Sequence, residues 1–202
     1  MLTAIALLTL AMPIQSMAQI EMTKVWSIGP EAGVSLSRYG RDADANDFKP
    51  GIVSGLFVTY SIINTFAITG KFLYHQKGAT FANNDIKQTL GYIEIPVIGR
   101  YFLNKEGQFR PNIFIGPSIG ILTGAKNKVG SNDPEKLDTF KDSFNTMDLG
   151  VTGGVGCNIR ILNETYLVLD ARYTHGVSDI SKSNTDVNNN DFAFTAGVSF
   201  GL

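Results

Sequence analysis

Asp191-Phe-Ala-Phe-Thr-Ala-Gly-Val-Ser-Phe-Gly-Leu202 alternates without a break. Its even positions, Phe192, Phe194, Ala196, Val198, Phe200 and Leu202, are apolar, and its odd positions, Ala193, Thr195, Gly197, Ser199 and Gly201, are small and weakly polar. A period of two is the mark of a strand with two different faces. A water-soluble sheet alternates as well, so the apolar face could meet either a protein core or lipid. The rest of the chain decides between them.

Seven further stretches alternate in the same way, over residues 25–38, 51–60, 65–76, 88–103, 109–122, 147–159 and 165–177. The clearest sets Met147, Leu149, Val151, Val155, Cys157 and Ile159 against Asp148, Gly150, Thr152, Gly154, Gly156 and Asn158. The connections between them run long, short, long, short, long, short, long: 39–50, 61–64, 77–87, 104–108, 123–146, 160–164 and 178–190. Bacterial transmembrane barrels have an even number of strands, short periplasmic turns and long outer loops. Each stretch is long enough to cross a bilayer at a tilt, which takes roughly 9–11 residues.

Charge placement assigns the faces. On the apolar parity the strands carry no Lys, Arg, Asp or Glu except Arg38 at an outer end, whereas Glu31, Lys71, Glu94, Arg100, Arg110, Asp148, Asp170 and Arg172 all fall on the other. That second face is also rich in Gly and Ser, as the crowded inside of an eight-stranded barrel requires. The charged face is therefore expected inside, with the greasy face against lipid. Trp26, Tyr60, Phe66, Tyr101, Phe109 and Phe200 sit at strand ends beside the short turns, and Tyr74, Tyr173 and Phe192 lie nearer the long loops, as two interfacial belts would.

Composition agrees. Hydrophobic residues are 44 % of the chain, too few for a bundle of membrane helices but compatible with alternating strands. A formal net charge of -1 offers no basic field for nucleic acid. The one cysteine, Cys157, has no disulfide or metal-ligand companion and reads as a small strand residue. Leu2 to Met12 is an apolar run the length of a signal-peptide core, followed by Ser16-Met17-Ala18, so residues 1–18 are expected to be an export signal and 19–202 the barrel. No Lys or Arg precedes the run, which departs from the usual pattern.

The interior charges are expected to form a structural network of Glu31, Lys71, Glu94, Asp170 and Arg172, with Lys71 near Glu94 on adjacent strands and Glu31 within reach of Asp170 and Arg172. Charges removed from water need partners. His75 and His175 are placed at the outer rim, inward and outward respectively, and no Ser and acid are set around either by spacing. Asp42-Ala-Asp44-Ala-Asn46-Asp47 lacks the glycine and the final Glu of a calcium loop and reads as a solvated loop. No catalytic, cofactor-binding or metal-ligating set is expected.

Leu90-Gly-Tyr-Ile-Glu-Ile-Pro-Val-Ile-Gly-Arg-Tyr-Phe102, Gly116-Pro-Ser-Ile-Gly120, Asp148-Leu-Gly-Val-Thr-Gly-Gly-Val-Gly156 and Ala171-Arg-Tyr-Thr-His-Gly-Val-Ser-Asp-Ile180 resemble the recurrent strand motifs of the PorT-like outer-membrane β-barrel family of Bacteroidetes. Lys71 departs from the family, which more often has an acid there. The resemblance implies an all-β, eight-stranded antiparallel up-and-down barrel in the cell outer membrane. It also implies components of type IX secretion as partners, beside the outer-membrane lipid that the apolar face calls for and the barrel-assembly machinery, whose C-terminal signal the final residues Thr195, Gly197, Phe200 and Leu202 resemble. A non-enzymatic structural or accessory role is therefore expected first. An outer-leaflet lipid-modifying enzyme using the histidines, or an adhesin or receptor built on the 123–146 loop, stand as alternatives.

Overall fold

The computed structural model describes residues 26–41, 47–81, 86–130, 132, 134–136, 144–182 and 187–202. The expected export signal, residues 1–18, and most of the acidic loop at 42–47 lie outside them. Eight long strands form the wall: β1 (Trp26–Arg41), β2 (Lys49–Ile63), β3 (Phe66–Phe81), β4 (Ile86–Phe102), β5 (Phe109–Val129), β7 (Met147–Leu162), β8 (Thr165–Gly176) and β9 (Val187–Gly201). A two-residue strand, β6 (Glu135–Lys136), pairs with the outer end of β5. Each long strand pairs antiparallel with the next, and β1 pairs with β9, so the sheet closes on itself and leaves no edge along the wall.

The faces are as the alternation requires. Ile115, Val155, Phe194 and Leu56 point outward and are more than half exposed, while Glu31, Lys71, Glu94, Asp148, Asp170 and Arg172 point inward and are buried. Trp26 stacks against Tyr60 beside the short turns, ring centroids 4.7 Å apart, and Tyr173 against Phe192 toward the other end at 4.6 Å. So continuous an apolar wall has no place on a water-soluble monomer. Ile115 lies between the two aromatic levels, so Ile115→Arg should lower stability in lipid vesicles by about 2–4 kcal/mol, against about 0–1 for Leu162→Arg beside a short turn. Equal effects of the two in urea titrations would contradict the lipid-facing assignment.

The strands run further than expected at the long-loop end. Residues 77–81, 86–87 and 123–129 were expected in loops, yet they continue the ladders, with Lys77 opposite Leu90 and Lys87 opposite Lys128. Here the polarity of the wall reverses. Lys87 and Lys126 are exposed outside, while Tyr39, Ala79, Leu90, Tyr92, Leu122, Ala125 and Ile180 form an apolar cluster inside. Beyond the lipid, the outer face meets water, so the sheet takes on the ordinary apolar-in pattern and the lipid-zone parity no longer reports its extent.

Candidate functional site

The lipid-zone interior is filled in layers. Nearest the short turns, Lys71 on β3 donates to Glu31 on β1 at 2.8 Å and to Asp170 on β8 at 3.0 Å. Arg100 on β4 grips Asp170 with both terminal nitrogens, at 2.9 and 2.8 Å, and also donates to Asn112 at 2.6 Å. Its guanidinium lies 4.8 Å from the centroid of the Phe114 ring. A two-pronged grip on a carboxylate fixes orientation as well as charge. These residues come from strands on opposite sides of the barrel, so their side chains tie the wall together across its diameter.

A second cluster lies toward the long loops. Glu94 pairs with His75 Nδ1 at 2.6 Å and with Lys77 Nζ at 3.2 Å, and accepts a hydrogen bond from Ser118 at 2.9 Å. Lys77 also lies 3.4 Å from Asp148 and 3.7 Å from Asp191, and His75 Nε2 lies 3.6 Å from Asp191. Asn189 completes the cluster by donating to Asp148 at 2.9 Å and to the Tyr92 hydroxyl at 3.2 Å. Val53, Leu73 and Ala193 pack together as a separate small apolar group inside the barrel.

Of the five residues named from sequence, Glu31, Lys71 and Asp170 come together, and Glu94 belongs to the other cluster. The expected Lys71–Glu94 neighbourhood is corrected: the register sets Leu73, not Lys71, opposite Glu94, and Lys71 turns instead to Glu31 and Asp170. Arg172 is buried and none of its guanidinium nitrogens hydrogen-bonds to a described residue. His75 is also corrected. It is fully buried inside the wall rather than standing at the rim, because β3 continues past it to Phe81. His175 faces outward and its Nδ1 lies 2.7 Å from Asn190 Oδ1. Sequence reasoning misses Lys77 and Asp191, which the alternation sets in a loop and at a strand end. A readable signal existed for Lys77, since Lys71, Leu73, His75 and Lys77 continue one parity without interruption.

The two ends of the interior differ. At the long-loop end the apolar cluster fills the bore, and Ile180, from the β8–β9 connection, is inserted into it with no exposed surface. Asn145 holds that connection by donating from its backbone to Ile180 and from its side chain to Asp179 and Ser181. At the short-turn end a cavity of about 510 Å³ opens outward, with Lys71, Arg100 and Asp170 lining its inner end and Lys105, Glu106, Arg110, Arg160 and Glu164 its mouth. Among the described residues the interior is thus a one-ended vestibule under two ion-pair clusters and an apolar stopper.

Residues 17–182 match the family model described as outer membrane protein beta-barrel domain. No curated protein sequence matches the chain. Among solved structures, Neisserial surface protein A (NspA) is similar at a TM-score of 0.59 and 12 % identity, covering 88 % of this chain and 97 % of that one. AlkL, an outer membrane protein solved in lipid bilayers, is similar at 0.51 and 13 % identity, covering 95 % of each chain. At such identities the likeness speaks for the fold alone. The closed wall, its lipid-facing exterior and the family match together make this a protein of the cell outer membrane, belonging to the outer membrane protein beta-barrel domain family.

Proposed function

We propose that the barrel is a non-enzymatic accessory of protein secretion or surface assembly, of the PorT-like type, and that it works through its periplasmic rim and outer loops rather than as a pore. The observation that carries this reading is the one-ended interior: among the described residues, an apolar stopper at Ile180 and two clusters of ion pairs close the bore above the short-turn mouth. In bacterial barrels the short turns face the periplasm. Buried ion pairs of this kind contribute little net stability but penalise wrong registers, which suits a rigid platform. A lipid-modifying enzyme would need a histidine able to reach the outer leaflet together with an acid and a nucleophile. His75 is sealed inside against Glu94, and the partner of His175 is an amide.

In planar bilayers the purified protein should give no discrete conductance steps above the lipid background. Regular steps would contradict the closed interior. The accessory role has its own test, with photo-crosslinking residues placed at Lys105 and Asn163 in two short turns, in cells of the source organism. Discrete adducts with envelope or secretion components support the reading, and capture of lipid alone would overturn it.

A further inference from the structure

On the apolar parity of the alternating stretches Arg38 is the only Lys, Arg, Asp or Glu, and the fold sets it on the outside of the wall, exposed, near the long-loop end of β1. Its row is polar: the ladders place Arg38 directly opposite Asn190 on β9, and Asn190 opposite His175 on β8. Two residues nearer the membrane centre, about 7 Å along the strand, the matching row is Leu36, Phe192 and Tyr173, and the next is Val34, Phe194 and Ala171. Over three rows the outer face thus passes from apolar through aromatic to cationic. A bilayer changes in the same order, from acyl chains through the interface to the headgroups.

The Arg38 guanidinium lies 5.1 Å from the centroid of the Phe48 ring, which is 6.5 Å from that of Phe192, itself 4.6 Å from Tyr173. Asn190 Oδ1 accepts from the Tyr173 hydroxyl at 3.3 Å and lies 2.7 Å from His175 Nδ1, while the Asn190 amide nitrogen donates to Asn188. The carboxylates of these elements are engaged elsewhere. Asp191 faces inward to His75 and Lys77, and Asp179 accepts from the backbone nitrogens of Ser181 and Val187. No described carboxylate pairs with Arg38, Asp47 beside Phe48 included. Its stem carries the charge up to the headgroup level, and stacking on Phe48 pre-orders the planar fork that matches phosphate oxygens. A free phosphate would meet only the polar row. A phosphorylated lipid would also lay its acyl chains on Leu36, Val34 and Phe194, which already face lipid. We propose that Arg38, with the Asn190 and His175 row beside it, is a binding site for the phosphate headgroup of a lipid in the outer leaflet, the side on which bacterial barrels carry their long loops. Lipid capture here does not depend on the accessory role, which crosslinks from the short turns test separately.

The test uses the full mature chain in a neutral detergent, with dioleoyl phosphatidic acid and dioleoylglycerol supplied in equal amounts and the lipids retained on the barrel counted by native mass spectrometry. The two lipids share their acyl chains and differ in the phosphate. Phosphatidic acid should be retained about ten-fold better, as expected when a charge-assisted grip is present in one and missing in the other. Arg38→Gln should bring it down to the level of the glyceride while the barrel keeps its folded gel mobility. Phe48→Leu, which leaves the charge and removes its platform, should give an intermediate loss. Lys105→Gln, at an exposed cation beside a short turn at the opposite end, should leave retention unchanged. Equal retention of the two lipids, no effect of Arg38→Gln, or an equal effect of Lys105→Gln would overturn the proposal. Displacement of phosphatidic acid by an equimolar amount of inorganic phosphate would overturn it too, since the site would then read a free anion and not a lipid.

Discussion

Gly116→Val should yield no folded barrel. On semi-native gels, where a closed barrel and its heated form migrate differently, the variant should run only at the unfolded position after refolding into lipid. Gly116 faces the interior, and a Cβ added there would lie 2.0 Å from the Val97 carbonyl oxygen and 2.8 Å from the Ile98 Cα across the β4–β5 ladder. Both obstacles are backbone, so no rotamer change relieves them and the two strands must part. Gly33 repeats the arrangement between β1 and β9, the pairing that closes the cylinder, at 1.9 Å from the Phe194 carbonyl oxygen. A tightly curved sheet brings neighbouring backbones this close only where side chains are missing. The expected cost is at least about 4 kcal/mol, in the extreme tail of single substitutions. Gly70→Val supplies the control: a Cβ there meets nothing within 4 Å, and a β-branched residue suits a strand, so that variant should fold like the parent. If Gly116→Val and Gly70→Val fold equally well, the close approach inferred for the wall is wrong.

The second large effect is expected at Asp170. Asp170→Leu removes the carboxylate that receives both prongs of Arg100 and one bond from Lys71, leaving Arg100 buried with Asn112 as its remaining side-chain acceptor. Truncating one partner of a buried pair costs about 3–5 kcal/mol, most of it from the stranded opposite charge. The chain has one tryptophan, Trp26, exposed on the outer wall beside the short turns, so urea titration of vesicle-bound protein can be followed by its emission. Because the penalty arises from the stranded cation, Arg100→Met added to Asp170→Leu should recover most of the loss. Lys71 and Glu31 then remain as a balanced pair 2.8 Å apart. A loss below about 1 kcal/mol in the single variant, or none recovered in the double, would show that these charges do not depend on one another in the way the distances indicate.

The parts of this molecule that were legible in sequence share a cause. Strand number, the inward and outward sides of each strand and the aromatic levels all follow from a period of two read along one strand at a time. Met147 to Ile159 displays its two faces with no knowledge of any neighbour. The strand ends at the long-loop side were not legible, because past the lipid the outer face meets water and the polarity of Lys87, Leu90 and Lys126 inverts. A parity rule tuned to lipid therefore ends the strand early and sets His75 at a rim, although on the inward side the parity of Lys71, Leu73 and His75 runs on through Lys77. Ile180 was hidden for a related reason: a single apolar residue in a polar connection gives no sign that it will fold back into the bore.

By itself, then, the amino-acid order determined that the chain makes a closed, lipid-facing cylinder with its acids and bases inside, because that outcome depends only on the local alternation of side chains. Which acid meets which base was decided by the tertiary structure. Lys71 and Asp170 are 99 residues apart and come from strands that never pair, so their contact depends on how far each ladder slips as the sheet curls round and closes. That stagger accumulates over the whole circumference and is written in no single strand. The same holds for the one-ended bore: the stopper and the vestibule exist only once all eight long strands have met, and with them the surfaces through which the barrel would act.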